Sequence, residues 1–228
     1  MYWRRKVAYT YRYIETNAIS YEGDSVFHLL GVIDIFIAIT TYKHLTEADL
    51  QHFIEISKGI DGLLFRTPMS SDDLFSFLEK LIAAGFPKDK IIIHSDVDLL
   101  ESLTLKRLHC REMDTLAFDY KAQHPDVEVS MSTHTINSVK QAYQHQLDYV
   151  FYGHIFTTAS KPNQQPRSMS EIKAVLQVPI PVYAIGGITE DTIQRLPNGF
   201  AGICAISYFM SASLQQIQHL RKEWLKDA

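Results

Sequence analysis

Eight short apolar, β-branched segments separated by amphipathic ones constrain this chain more than any other feature. They are residues 32–39 (VIDIFIAI), 60–66 (IDGLLFR), 90–94 (KIIIH), 105–109 (LKRLH), 127–132 (VEVSMS), 147–156 (LDYVFYGHIF), 181–187 (PVYAIGG) and 201–207 (AGICAIS). Between them lie helical patterns such as TEADLQHFIEISK, SSDDLFSFLEKLIAAG, NSVKQAYQHQ, MSEIKAVLQ and TEDTIQRL, several opening with Ser or Thr followed by an acidic residue, as helix N-caps prefer. Strands alternating with helices predict parallel βα units, and eight such units fit a small TIM (β/α)8 barrel in an α/β chain. A doubly wound open sheet is the alternative. The barrel domain is assigned to residues 32–228, with short helices required over residues 95–127. Residues 1–31, an aromatic and charged mix with Gly23 and Asp24 midway, stand apart as an N-terminal extension.

Composition narrows the function. The formal charge is −4, with no long basic block, which argues against a nucleic-acid binder. An anionic ligand must therefore be held by local groups. Cys110 and Cys204 are far apart, offer neither a metal spacing nor a disulfide framework, and read as core thiols in a reducing compartment. No apolar run approaches the ~20 residues of a membrane span, and the basic start has no apolar stretch behind it, so a cytoplasmic location without membrane contact is expected.

In a barrel, the loops at the carboxyl ends of the strands build the site. His134, in SMSTHT (130–135), lands there after strand five, where strand period gives way to the helical spacing of Ile136, Val139, Ala142 and Tyr143. Thr157, Thr158, Ser160 and Lys161 follow strand six, opening a proline- and amide-rich loop over 157–168 suited to a lid or a plain connector. After strands seven and eight come AIGGIT (184–189) and AISYF (205–209). Paired glycines let an anion approach backbone N–H groups, and these two loops are the usual barrel phosphate site. Gly186, Gly187, Ile206 and Ser207 are thus the expected phosphate cradle.

Ser132-Thr133-His134-Thr135, GHIFTTASK (153–161), AIGG (184–187) and AIS (205–207), in this order, resemble the thiamine-phosphate synthase superfamily over about residues 32–210. The histidine of GHIF, where synthases tend to carry proline, makes the chain more similar to the TenI-like thiazole tautomerases. Synthases join a pyrimidine pyrophosphate to a thiazole phosphate. They carry Gln-x-Arg-x-Lys at strand two and Asn-Asp after strand three, with an aspartate on magnesium. Here those segments read Leu64-Phe65-Arg66-Thr67-Pro68 and His94-Ser95-Asp96, so only the arginine remains, although Asp114 in HCREMD could match a second synthase carboxylate.

The tautomerase resemblance implies a proton moved from ring carbon C2 of a carboxythiazole phosphate to its exocyclic carbon, with neither metal nor cofactor. It places the acid–base role on His134, imidazole being the side chain that ordinarily titrates nearest neutral pH. Arg66 is the expected carboxylate partner, or else one half of a salt bridge across the barrel mouth. Thr158, Ser160 and Lys161 would close over the phosphate or the ring, and Phe65 is a candidate for stacking on it. His154 is a second histidine near the pocket, in a catalytic or a supporting role. The expected partner is a small-molecule thiazole phosphate, and a homo-oligomer is compatible with the sequence. The remaining alternatives are the synthase itself and a non-catalytic phosphate-ligand binder.

Overall fold

A computed structural model describes residues 35–225, and in it the apolar segments form eight parallel strands closed into one barrel, paired in chain order from the first to the eighth. The N-terminal extension assigned to residues 1–31 lies outside the described residues. The strands are β1 (Ile35–Ile39), β2 (Gly62–Phe65), β3 (Ile91–His94), β4 (Arg107–Cys110), β5 (Glu128–Thr133), β6 (Tyr149–Gly153), β7 (Val182–Ile185) and β8 (Gly202–Ala205). The helices are α1 (Glu47–Ile56), α2 (Ser71–Ala83), α3 (Val97–Ser102), α4 (Thr115–Gln123), α5 (Ile136–Gln144), α6 (Met169–Val175), α7 (Glu190–Ile193), α8 (Ser207–Ser211) and α9 (Leu214–Trp224). Closure is parallel, β1 lying against β8 with Ile35 opposite Gly202. A side chain on Gly202 would begin 2.2 Å from the carbonyl oxygen of Ile35, so glycine lets the seam close.

Residues 95–127 carry the short helices that the sequence demands. Helix α3 has six residues and α4 nine, and the side chains of Asp96 and Asp114 accept the N-capping bonds from Leu99 and Leu116. Capping closes a short helix that propensity alone would leave marginal.

Strand pleating sends alternate residues to opposite faces. In β1, Ile35, Ile37 and Ile39 fill the barrel interior with Leu64, Ile92, Phe151 and Cys204, whereas Phe36 and Ala38 pack outward under the helices. Phe65 follows the outward parity. It is buried against Phe53 (5.9 Å between ring centroids) and Phe77, so it belongs to the helix layer and not to the pocket, contrary to the expected stacking role. Tyr143 likewise lies 45% exposed on α5, where Val139 and Ala142 are buried.

An aromatic column climbs the interior. Tyr183 stacks on Tyr149 (4.6 Å), Tyr149 on Phe151 (5.8 Å) and Phe151 on His109 (4.2 Å). At the floor, Arg107 and Glu128, the first residues of β4 and β5, form an ion pair at 2.5 Å, and Arg107 also donates to the carbonyl of Asp61.

Candidate active site

The inward face of the strands carries polar groups only near the carboxyl ends and at the floor. His94 ends β3, two residues after inward-facing Ile92, and Arg66 follows inward-facing Leu64 by the same step. His109 lies fully buried between two hydroxyls, Nδ1 at 2.9 Å from Ser130 Oγ and Nε2 at 2.9 Å from Ser132 Oγ, with the His94 ring 6.1 Å away. Burial drives both imidazoles toward the neutral form. For His94 the Arg66 and Arg111 guanidinium groups add to it, taking its pKa down to about 4. For His109 burial does most, with His94 adding, and its pKa lies well below the ordinary value.

His134 sits at the turn between β5 and α5. Thr135 holds that turn as N-cap, its hydroxyl accepting from Ser138 N at 3.1 Å. Glu112, in the loop after β4, clamps the residue twice: Oε1 accepts the His134 backbone N–H and Oε2 lies 2.7 Å from ring Nδ1. Burial works against a charged Glu112, but bonds from Ser138 and from the backbone and ring of His134 hold its carboxyl below the usual range. An ionised carboxylate only accepts, so Nδ1 carries the hydrogen. On the other side, Lys161 Nζ approaches Nε2 at 3.3 Å. An ammonium only donates, so Nε2 presents a lone pair. This pairing suits the Nδ1–H tautomer, with Nε2 toward the loop after β6. Carboxylate orientation of this kind also stabilises the imidazolium that forms when the ring takes a proton.

Positive charge gathers at the mouth. Arg66 lies under the exposed Tyr42 ring at 5.2 Å, and Arg111 acts on His94. Among the described residues, Arg66, Arg111 and Lys161 form no ion pair, so the alternative of an Arg66 salt bridge is not realised there. Thr158 accepts the Lys161 backbone N–H, and its hydroxyl accepts from Ser160 N. Ser160 is exposed.

The loop after β7 is built for close approach. Gly186 and Gly187 have φ of 98° and 70°, and a side chain at Gly187 would meet the Thr157 carbonyl at 2.6 Å. Phe156 and Thr157, which follow β6, thus pack directly on Gly187. The N–H groups of Gly187 and Ile188 have no acceptor among the described residues, and Ile206 and Ser207 start α8 in the neighbouring loop.

Two further candidates, His154 and Cys110, are buried. His154 is buried, and its Nε2 donates to the Gln164 carbonyl, pinning the 157–168 loop together with the Arg167 N–H that reaches the His154 carbonyl. Burial pushes the Cys110 thiol up to about 12, with Asp114 adding, which makes it a poor nucleophile. The two aspartates of the synthase comparison cap helices: Asp96 accepts from Leu99 N and from Ser71 Oγ at 2.6 Å, and Asp114 caps α4.

Glu112, Arg111 and His94 escape the motif reading. The signal for Arg111 was parity, because Arg107, His109 and Arg111 alternate onto the inner face. Glu112 is placed by Met113, whose φ of 56° turns the chain sharply after it, and no sequence pattern marks that.

A family model described as thiamine monophosphate synthase matches residues 37–209. The chain is 32% identical over 178 residues to the putative thiamine-phosphate synthase 2 of Aquifex aeolicus, covering 76% of this chain and 96% of that one. With the thiamine-phosphate synthase of Clostridium acetobutylicum it shares 30% identity over 182 residues, 76% of this chain and 86% of the other. Among solved structures, the thiamine phosphate pyrophosphorylase from Pyrococcus furiosus superposes with a TM-score of 0.69 at 21% identity, covering 84% of this chain and 96% of that one, a likeness of fold.

Proposed function

The chain belongs to the thiamine monophosphate synthase family, TMP-TENI, an enzyme family of thiamine biosynthesis, and within it we propose that this protein is a thiazole tautomerase. The observation that carries the reading is the oriented neutral imidazole: Glu112 on Nδ1 leaves Nε2 of His134 as a base facing the mouth. Nε2 takes the proton from ring carbon C2 of a carboxythiazole phosphate, and the imidazolium, held by Glu112, returns it at the exocyclic carbon as the ring becomes aromatic. Arg66 receives the carboxylate in its planar fork. The N–H groups of Gly187, Ile188 and Ser207 receive the phosphate, Gly186 and Ile206 shaping the loops that present them. Thr158 and Ser160 order the loop that brings Lys161 to the site.

A second reading is the synthase reaction, and the comparisons speak for it more directly, since the relatives are named thiamine-phosphate synthases. Against it stands the strand-two segment, which lacks the synthase lysine and so leaves less positive charge to stabilise a departing pyrophosphate. The deciding experiment gives purified protein each substrate set in turn. Aromatisation of carboxythiazole phosphate, undiminished by a chelator, is expected. Formation of thiamine phosphate from pyrimidine pyrophosphate and thiazole phosphate, without isomerisation, would replace the tautomerase with the synthase.

A further inference from the structure

The nitrogen that must act as base is already engaged. Lys161 Nζ stands 3.3 Å from His134 Nε2, and its ammonium can only donate to the lone pair that the proposed proton transfer requires. Among the described residues the Lys161 ammonium has no carboxylate partner, and Glu112 is spent on the other edge of the same ring. Its loop packs on the paired glycines, Thr157 and Phe156 lying against Gly187. Lys161 therefore lies on the strand-six loop between the base after β5 and the anion cradle after β7.

We propose that Lys161 is a specificity-determining residue that masks the His134 base until a phosphate monoester binds, drawing the ammonium off Nε2 toward the phosphate oxygens. The inference rests on the tautomerase reading for its catalytic consequence, but not for the masking itself. An ammonium prefers a dianionic phosphate to a neutral imidazole nitrogen, since bonds in which both partners are charged are stronger. A substrate lacking phosphate leaves the base covered, so discrimination appears in kcat as well as in KM. No bond is made or broken by the mask; one donor exchanges acceptors.

Two measurements test this. In 15N-histidine NMR of the full chain, with His134 identified by the His134→Asn variant, the wild-type ring should show protonated Nδ1 and a hydrogen-bonded Nε2. Inorganic phosphate should move Nε2 saturably toward the position of a bare imidazole nitrogen. Lys161→Met, which keeps the stem and removes the ammonium, should begin near that position and not respond. In the second measurement, the phosphate-free alcohol form of the carboxythiazole should turn over slowly in wild type and about tenfold faster in Lys161→Met, the factor expected from removing one charge-assisted bond. A wild-type Nε2 indifferent to phosphate, or a Lys161→Met ring identical to wild type, overturns the mask. If the NMR responses hold while neither protein isomerises any thiazole, the mask stands and the tautomerase reading falls.

Discussion

The two ends of the barrel interior handle charge in opposite ways. At the floor, Arg107 meets Glu128 and a backbone carbonyl beneath stacked Tyr149 and Tyr183, so every charge there has its partner inside the protein. At the mouth, Arg66, Arg111 and Lys161 form no ion pair among the described residues; Glu112 is turned onto His134, and Asp114, which also acts on His94, caps α4. Matched charge at the floor fixes strands β4 and β5 together. In the proposed reading, the unmatched charge at the mouth is what receives the anionic groups of the substrate.

The contrast breaks most sharply at His134. Its replacement by Asn keeps size and some hydrogen bonding but removes the base, so isomerisation should slow by about 10²–10⁴ while affinity for the aromatic product changes little. A rate within a few-fold of wild type would move the base elsewhere. Next comes a pair of substitutions across the two ends. Glu128→Gln strands a buried guanidinium and should cost about 3 kcal/mol in urea unfolding. Arg111→Gln, which breaks no pair, should leave stability within ~0.5 kcal/mol and raise KM for the anionic substrate. Equal losses of stability would erase the distinction. Glu112→Gln lies between the two regimes: it retains an acceptor for Nδ1 but not the charge that holds the imidazolium, and kcat should fall roughly 10–100-fold with KM nearly constant.

The smallest effect is one of pH. In the unfolded chain His94 takes up its proton near the ordinary value of 6.5, but in the fold only at about 4, because burial and then Arg66 and Arg111 oppose the charge. The unfolded state therefore binds more protons between those values, and stability should decline as pH falls from 6.5 toward 4. Urea midpoints at pH 7.5, 6 and 5 should show a shallower decline for His94→Gln than for wild type; parallel slopes would contradict the assignment.

Sequence legibility follows the same division. The barrel was legible because eight short β-like runs alternate with helical ones, and that order alone calls for parallel βα units. His134 was legible because its motif sits at a strand-to-helix turn. Its partner Glu112 was not, since the contact depends on the turn at Met113 and on where β4 and β5 end relative to each other. Phe65 was misplaced for want of parity: Leu64 and Arg66 share the inner face, so the residue between them cannot. Asp96 and Asp114 enter through the synthase resemblance, and the structure uses both to cap short helices that the same stretch of chain needs.

A structure of the protein with carboxythiazole phosphate bound tests the central claim most directly, because the unpaired mouth must then find its counter-charges. The expected complex has the carboxylate on Arg66, the phosphate against Gly187 and Ser207, and ring carbon C2 about 3–3.5 Å from His134 Nε2, a separation from which a proton can move. A ligand whose phosphate lies elsewhere, or whose ring stands away from His134 with Arg66 still under Tyr42, would contradict it.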